Sequence, residues 1–103
     1  MLVVFNDKYL EALYEGREVK GKPKYSEDVI TKFILKVQQI EFAVTIKDLL
    51  KQRGLNFEAL KGNLAGLHSI RVDKKYRLIF SLEKDTILLQ DIVLMEELSK
   101  HYE

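Results

Sequence analysis

The stretch from Ser69 to Phe80 constrains this chain more than any other, because its alternation suits one hairpin register. Successive strand residues point to opposite faces, so side chains two apart share a side. Ile70 and Val72 therefore share one face, with Ser69 and Arg71 on the other. In the segment that follows, Tyr76, Leu78 and Phe80 share a face, and Lys75, Arg77 and Ile79 share its opposite. With Asp73, Lys74 and Lys75 as a three-residue loop, Val72 pairs with Tyr76, Ile70 with Leu78, and Arg71 with Arg77. The apolar sets then line one side, as a half-buried sheet demands of its register. The cost is two guanidinium groups directly opposite each other, and like charges so placed destabilise a strand pair. An anion held between them removes that cost, and arginine suits planar, bidentate capture of phosphate. Two other readings stay open. Arginines on a solvent-facing sheet surface often have no specific role, and a two-residue turn would shift the register and separate the pair.

Around this hairpin the remaining elements follow in order. Leu2 to Phe5 reads as a short apolar strand, and Asn6 or Asp7 caps a helix carrying Tyr9, Leu10, Leu13 and Tyr14 up to Gly16. Arg17 to Tyr25, with Gly21 and the only proline, Pro23, reads as a charged loop. Ser26 caps the most regular helix, with Glu27 and Asp28 in its first turn and an apolar stripe of Val29, Ile30, Phe33, Ile34, Val37 and Ile40. Thr45 caps a shorter helix that Gly54 ends, and residues 56–64 read as a turn with irregular structure around Gly62. His68 to Val72, Lys75 to Leu82 and Thr86 to Leu94 read as three consecutive strands, with Glu83, Lys84 and Asp85 as the second turn. Residues 95–103 suit either a continued strand or a short helix. The expectation is one α+β domain over residues 1–103: an N-terminal strand and helices packed on one face of a small twisted antiparallel sheet, its other face open.

Composition narrows the chemistry. Cysteine is absent, which removes disulfides, thiol catalysis and Cys-based metal sites. His68 and His101 are too few and too far apart to suggest a zinc site, and no metal or other cofactor is expected. No apolar run approaches the length of a membrane span and Asp7 and Lys8 interrupt the apolar start, so the expectation is a cytoplasmic protein without a membrane partner. The net charge of +1 hides an uneven distribution. Residues 51–80 carry seven bases against Glu58 and Asp73, a net +5, whereas residues 81–103 carry six acids against Lys84 and Lys100, a net −4. The overall balance argues against strong nonspecific binding to nucleic acid, but it permits a local basic site.

Four fragments, taken in order, point to a family: Leu60-Lys61-Gly62, Ser69-Ile70-Arg71-Val72, Tyr76-Arg77-Leu78-Ile79-Phe80 and the ending Glu97-Leu98-Ser99-Lys100-His101-Tyr102-Glu103. With these the chain resembles, nearly end to end, the HigB branch of the RelE/ParE superfamily, small toxins of type II toxin–antitoxin systems. The resemblance implies a RelE-like fold and a ribosome-dependent mRNA endonuclease that works without a metal. In such cleavage a ribose 2′-hydroxyl attacks the adjacent phosphate, a base takes its proton, cations stabilise the crowded phosphorane and an acid protonates the leaving 5′-oxygen.

The resemblance distributes these roles unevenly. Arg77 matches the family's phosphate-binding arginine, and Lys61 the lysine of the Leu-Lys-Gly motif, which is otherwise a loop lysine beside a glycine turn. His101 and Tyr102 resemble the family's terminal aromatic and histidine pair, giving an acid–base group and a stacking ring, or else a plain tail. Arg71, Lys74 and Lys75 are the expected RNA-phosphate contacts, with Arg71 equally readable as surface charge. Some relatives carry a histidine three residues before Lys61; this chain has Glu58, whose carboxylate is an alternative base. The resemblance further implies a HigA-like helix-turn-helix antitoxin as partner, the ribosome and mRNA as targets, and operator DNA only through the antitoxin complex. A ParE-like gyrase poison and a catalytically silent binding module acting in autoregulation remain as alternatives.

Overall fold

In the computed structural model, which describes residues 1–85, 87 and 90–100, the hairpin takes the register its alternation requires. Arg71 lies opposite Arg77, Ile70 opposite Leu78 and Ser69 opposite Ile79. The loop is held by Asp73, whose Oδ1 accepts from the Lys75 and Tyr76 N–H groups at 2.8 Å each, while Val72 N–H donates to the Tyr76 carbonyl at 2.9 Å. A short acidic side chain bonding the backbone two residues on is a standard way to close a turn.

The elements run β1 (Leu2–Phe5), α1 (Lys8–Glu15), α2 (Glu27–Phe42), α3 (Ile46–Lys51), β2 (Glu58–Ala59), β3 (Leu67–Arg71), β4 (Tyr76–Asp85) and β5 (Gln90–Lys100), with 3₁₀ turns at Arg53–Leu55 and Gly62–Leu64. This is the α+β arrangement expected, with a five-stranded sheet in the order β1-β5-β4-β3-β2. The sheet is mixed rather than wholly antiparallel, because β1 joins β5 in parallel, Leu2 opposite Ile92 and Phe5 opposite Met95. The helical segments separate those two strands in the chain, so no hairpin imposes an antiparallel direction.

Local signals account for the helices. Asp7 Oδ1 accepts from the Tyr9 and Leu10 N–H groups at 2.8 and 3.0 Å to start α1, and Gly16 ends it at φ +73°. Ser26 Oγ accepts from Val29 N–H at 3.2 Å to start α2. Asp48 Oδ2 accepts from the Val44 and Thr45 N–H groups at 2.9 and 3.0 Å at the head of α3. The inner face of α2 then buries Val29, Phe33, Val37 and Ile40 against Ile70, Leu78, Phe80, Val93, Met95 and Leu98 of the sheet. Full burial of one such side chain contributes about 1.5–3 kcal/mol. Tyr25 pins the loop before α2, donating its hydroxyl hydrogen to the Leu98 carbonyl at 2.8 Å and meeting Tyr76 edge-on at 5.5 Å.

Two expectations for the last strands are corrected. Glu83, Lys84 and Asp85 are not a turn but the end of β4, paired with Ile92, Asp91 and Gln90. Backbone ladder bonds are indifferent to side-chain charge, and the triplet holds no residue that forces a turn. The strand expected over residues 86–94 begins at Gln90, and Thr86, Leu88 and Leu89 lie outside the described residues. Residues 95–100 continue β5, through a bulge: Ile79 pairs with Glu97 but Phe80 with Met95, leaving Glu96 as the extra residue. Without it, Val93 and Met95 would face one way and Leu98 the other, yet all three are buried. Asn6 Nδ2 donates to Glu96 Oε1 at 2.7 Å at this point.

Two measurements probe this frame. Phe33→Ala, which empties the centre of the core, should cost about 3–5 kcal/mol in urea unfolding. Tyr14 on α1 hydrogen-bonds Glu41 on α2, and burial, that bond and the Glu41 charge push its phenol from 10.0 up to about 12. Folding then favours the protonated phenol, so this contribution is complete below pH 10 and disappears as pH climbs toward 12. The urea midpoint of the wild type should fall more steeply over that range than that of Tyr14→Phe; equal slopes would remove the linkage.

Candidate functional site

Because Ile70, Leu78 and Phe80 face the core, the pleat turns Ser69, Arg71, Arg77 and Ile79 onto the face of the sheet away from the helices. Arg71 is exposed, whereas the Arg77 side chain is 21% exposed. Sequence reasoning left residues 56–64 irregular, but Glu58 and Ala59 form β2, with Glu58 opposite Ser69. Paired residues share a face. This brings Glu58 to Arg77, and Glu58 Oε2 forms an ion pair with Arg77 Nη2, its carboxylate remaining 53% exposed. The like-charge cost of the arginine pair is thus met within the chain by a carboxylate.

Beyond β2 the chain folds back over this face. Leu60 N–H donates to the Leu67 carbonyl at 2.9 Å, and Gly62 and Gly66, at φ +65° and +93°, allow the reversal through the 3₁₀ turn. Leu60 and Leu64 close over Ser69, Arg77, Ile79, Ser99 and Lys100 to leave a hollow of about 170 Å³. Its walls are largely apolar, yet Ser69 Oγ and Arg77 Nε are buried without a hydrogen-bond partner. Unpaired buried donors are uncommon and costly, so an arginine held by Glu58 on one nitrogen and unsatisfied on another is poised to take an acceptor.

The remaining site residues are spread more widely. Lys61 is exposed at the head of the Gly62–Leu64 turn, next to Leu60 of the hollow. Lys74 and Lys75, in the hairpin loop, line a different cleft of about 490 Å³ with Asp28, Lys32 and Tyr76, at the start of α2. Lys100 borders both the cleft and the hollow, a position sequence reasoning missed; it becomes visible only once β5 is paired so that Tyr76 lies opposite Lys100 and Arg77 opposite Ser99. His101 and Tyr102 lie outside the described residues. His68 is structural, one corner of a triangle of rings with Phe57 and Phe80 at centroid distances of 5.4 and 6.0 Å, the two phenylalanines themselves 6.0 Å apart. Among the described residues there is no cluster of three or more His, Asp or Glu side chains suited to a metal ion, and no helix long and apolar enough to cross a membrane.

Comparison with known proteins bears on the same architecture. The structure is similar across 99% of its length to a YoeB/ParE toxin from Agrobacterium tumefaciens, covering 100% of that chain, with a TM-score of 0.55 at 16% identity. It is likewise similar to a chain of the YoeB–YefM complex from Staphylococcus aureus, covering 99% of each, with a TM-score of 0.57 at 19% identity. At those identities the likeness speaks for the fold. In sequence, the chain is 40% identical over 81 residues to toxin HigB-1 of Vibrio cholerae serotype O1, spanning 78% of this chain and 82% of that one. Residues 3–93 match the family model of the HigB-like RelE-like toxins of type II toxin–antitoxin systems. The chain belongs to the HigB-like toxin family, RelE-like toxins of type II toxin–antitoxin systems.

Proposed function

We propose that this toxin is a ribosome-dependent mRNA endonuclease that blocks translation and is neutralised by a HigA-like helix-turn-helix antitoxin. The observation that carries the reading is the Arg71–Arg77 pair with Glu58 ion-paired to Arg77 on one sheet face. Such a group holds a carboxylate within reach of whatever anion the arginine binds. Arg77 takes the scissile phosphate and stabilises the charge that grows on its oxygens, with Arg71 and Lys61 adding positive potential around it. Glu58 removes the proton from the ribose 2′-hydroxyl. The 2′-oxygen then bonds to phosphorus while the bond to the 5′-oxygen breaks, and protonated His101 supplies the leaving oxygen with its proton. The products are a 2′,3′-cyclic phosphate and a 5′-hydroxyl, with atoms and charge balanced and no cofactor required by any step.

Tyr102 stacks on a base of the message, and Lys74 and Lys75 hold backbone phosphates farther along the strand. Dependence on the ribosome accords with the chain's net charge of +1, which provides little general attraction for free RNA. The S. aureus YoeB relative, solved with YefM, lends support to a protein partner for this chain.

Primer extension on messages from cells briefly expressing the chain is the test. Wild type should produce translation-dependent cuts within codons. Arg77→Ala should lower cutting by about 100-fold or more, the scale of losing a transition-state donor. Glu58→Gln should lower it by about 100- to 10,000-fold if Glu58 is the base, with Arg77 and the fold intact by circular dichroism. Unimpaired cutting by Glu58→Gln would move the base to Lys61 or His101. DNA breaks without message cuts would replace this reading with a gyrase poison, and neither effect would leave a binding module.

A further inference from the structure

Among the described residues, one flank of α2 has little covering it. While the inner side of the helix is buried in the core, Leu35, Gln39 and Phe42 recur at spacings of four and three residues along its outer side. Leu35 is 54% exposed and Phe42 86%, and Val44 just beyond the helix is 78% exposed. Scattered apolar residues on a surface need no explanation, but a contiguous set around a groove marks an interaction site. Leu35, Gln39 and Phe42 line such a groove with Lys32, Lys36 and Val72, about 480 Å³ in volume. Phe42 also borders two neighbouring hollows, one beside Tyr14 and Gln38 and one beside Ala43 and Val44. Gln39 Oε1 is buried in this flank without a hydrogen-bond partner.

Charge says what kind of chain fits. Among the described residues Lys32 and Lys36 are the charged ones lining the groove, while Glu41 borders the two hollows beyond Phe42. Lys32 bonds Asp28 at 3.0 Å, on the turn before, and no acid of the described residues reaches into the groove itself. Two copies of this flank placed face to face would set lysine against lysine, so self-association leaves the cations unmatched. An acidic partner matches them.

We propose that the antitoxin docks here, through a short amphipathic segment that sets apolar side chains against Leu35 and Phe42. An acidic side chain of that segment meets Lys32 and Lys36, and one of its N–H groups donates to Gln39 Oε1. This rests on the chain being the toxin half of a toxin–antitoxin pair. The helix covers the core face of the sheet, whereas Arg77 lies on the opposite face, so docking on this flank is separable from chemistry at Arg77.

The test is the affinity of the purified cognate antitoxin for the full chain, carried in an Arg77→Ala background so that it can be made free of antitoxin. Phe42→Ala should weaken binding by about 30-fold, as for a central aromatic anchor. Lys36→Glu should weaken it by about 10-fold, and Lys36→Arg should restore most of that loss. Phe42 is too exposed for its truncation to unfold the chain, and thermal unfolding of each variant verifies this. Unchanged affinity in both Phe42→Ala and Lys36→Glu overturns the proposal while leaving the toxin reading intact. Loss of affinity on Arg71→Ala instead places the antitoxin on the sheet face and also overturns it. So does a dimer of the free chain, seen by sedimentation, that Phe42→Ala dissociates. Failure of the antitoxin to bind the chain with Phe42 and Lys36 intact, together with no message cutting by the wild type, sinks the proposed nuclease and its antitoxin partner instead.

Discussion

The antiparallel pairing of β3 with β4 is the constraint from which the rest of the molecule follows. Ile70, Leu78 and Phe80 are fully buried in the same core as the inner residues of α2. Once they are buried, the pleat leaves no freedom in where Arg71 and Arg77 go. The same hydrophobic burial that drives folding therefore fixes two guanidinium groups side by side on the opposite face. A slip of one residue would bury both cations and expose the core set, so the arginine pair is as secure as the core. The Asp73 turn adds local insurance by closing a loop of the length that this register needs.

The arginine pair then shapes what surrounds it. Adjacent cations raise the energy of the free protein unless an anion is near, and β2 supplies one in Glu58. A pair this close to solvent contributes little to stability, about 1 kcal/mol or less. Its consequence is positional: the carboxylate is held against the guanidinium that we propose takes the phosphate. The Leu60–Leu64 fold-back dries the other side of Arg77 and strands its Nε without an acceptor. Polar groups left unsatisfied in an otherwise well-paired sheet fit the general pattern that functional sites carry local costs which the remaining structure sustains.

Much of this was legible in advance, for reasons that differ from residue to residue. The stripe of α2 and the caps at Asp7 and Ser26 are local signals, and local signals survive in the fold. The Arg71–Arg77 pairing could be read because alternation and loop length together leave few registers. The end of β4 could not, since Glu83, Lys84 and Asp85 look like a loop to any reading based on composition, while ladder bonds need only backbone. The bulge at Glu96 left a trace in the sequence, the change of parity between Met95 and Leu98, which makes sense only when both are known to be buried. Glu58 was noticed as a departure from a histidine, but a two-residue strand is too short to carry a periodic pattern, so its pairing with Ser69 stayed hidden.

The amino-acid sequence by itself determined the α+β class, the central hairpin and its favoured register, the basic middle segment and the kinship with HigB-like toxins, since each depends on neighbours within a few residues or on fragments in a fixed order. Tertiary structure alone decided the parallel docking of β1, the ion pair between Glu58 and Arg77, the meeting of Lys100 with two separate clefts, and the groove between the outer flank of α2 and Val72. Each of these joins segments far apart in the chain, and no local preference specifies which distant surfaces meet. Packing does, by choosing the arrangement that buries the apolar faces while leaving the charged ones satisfied or free.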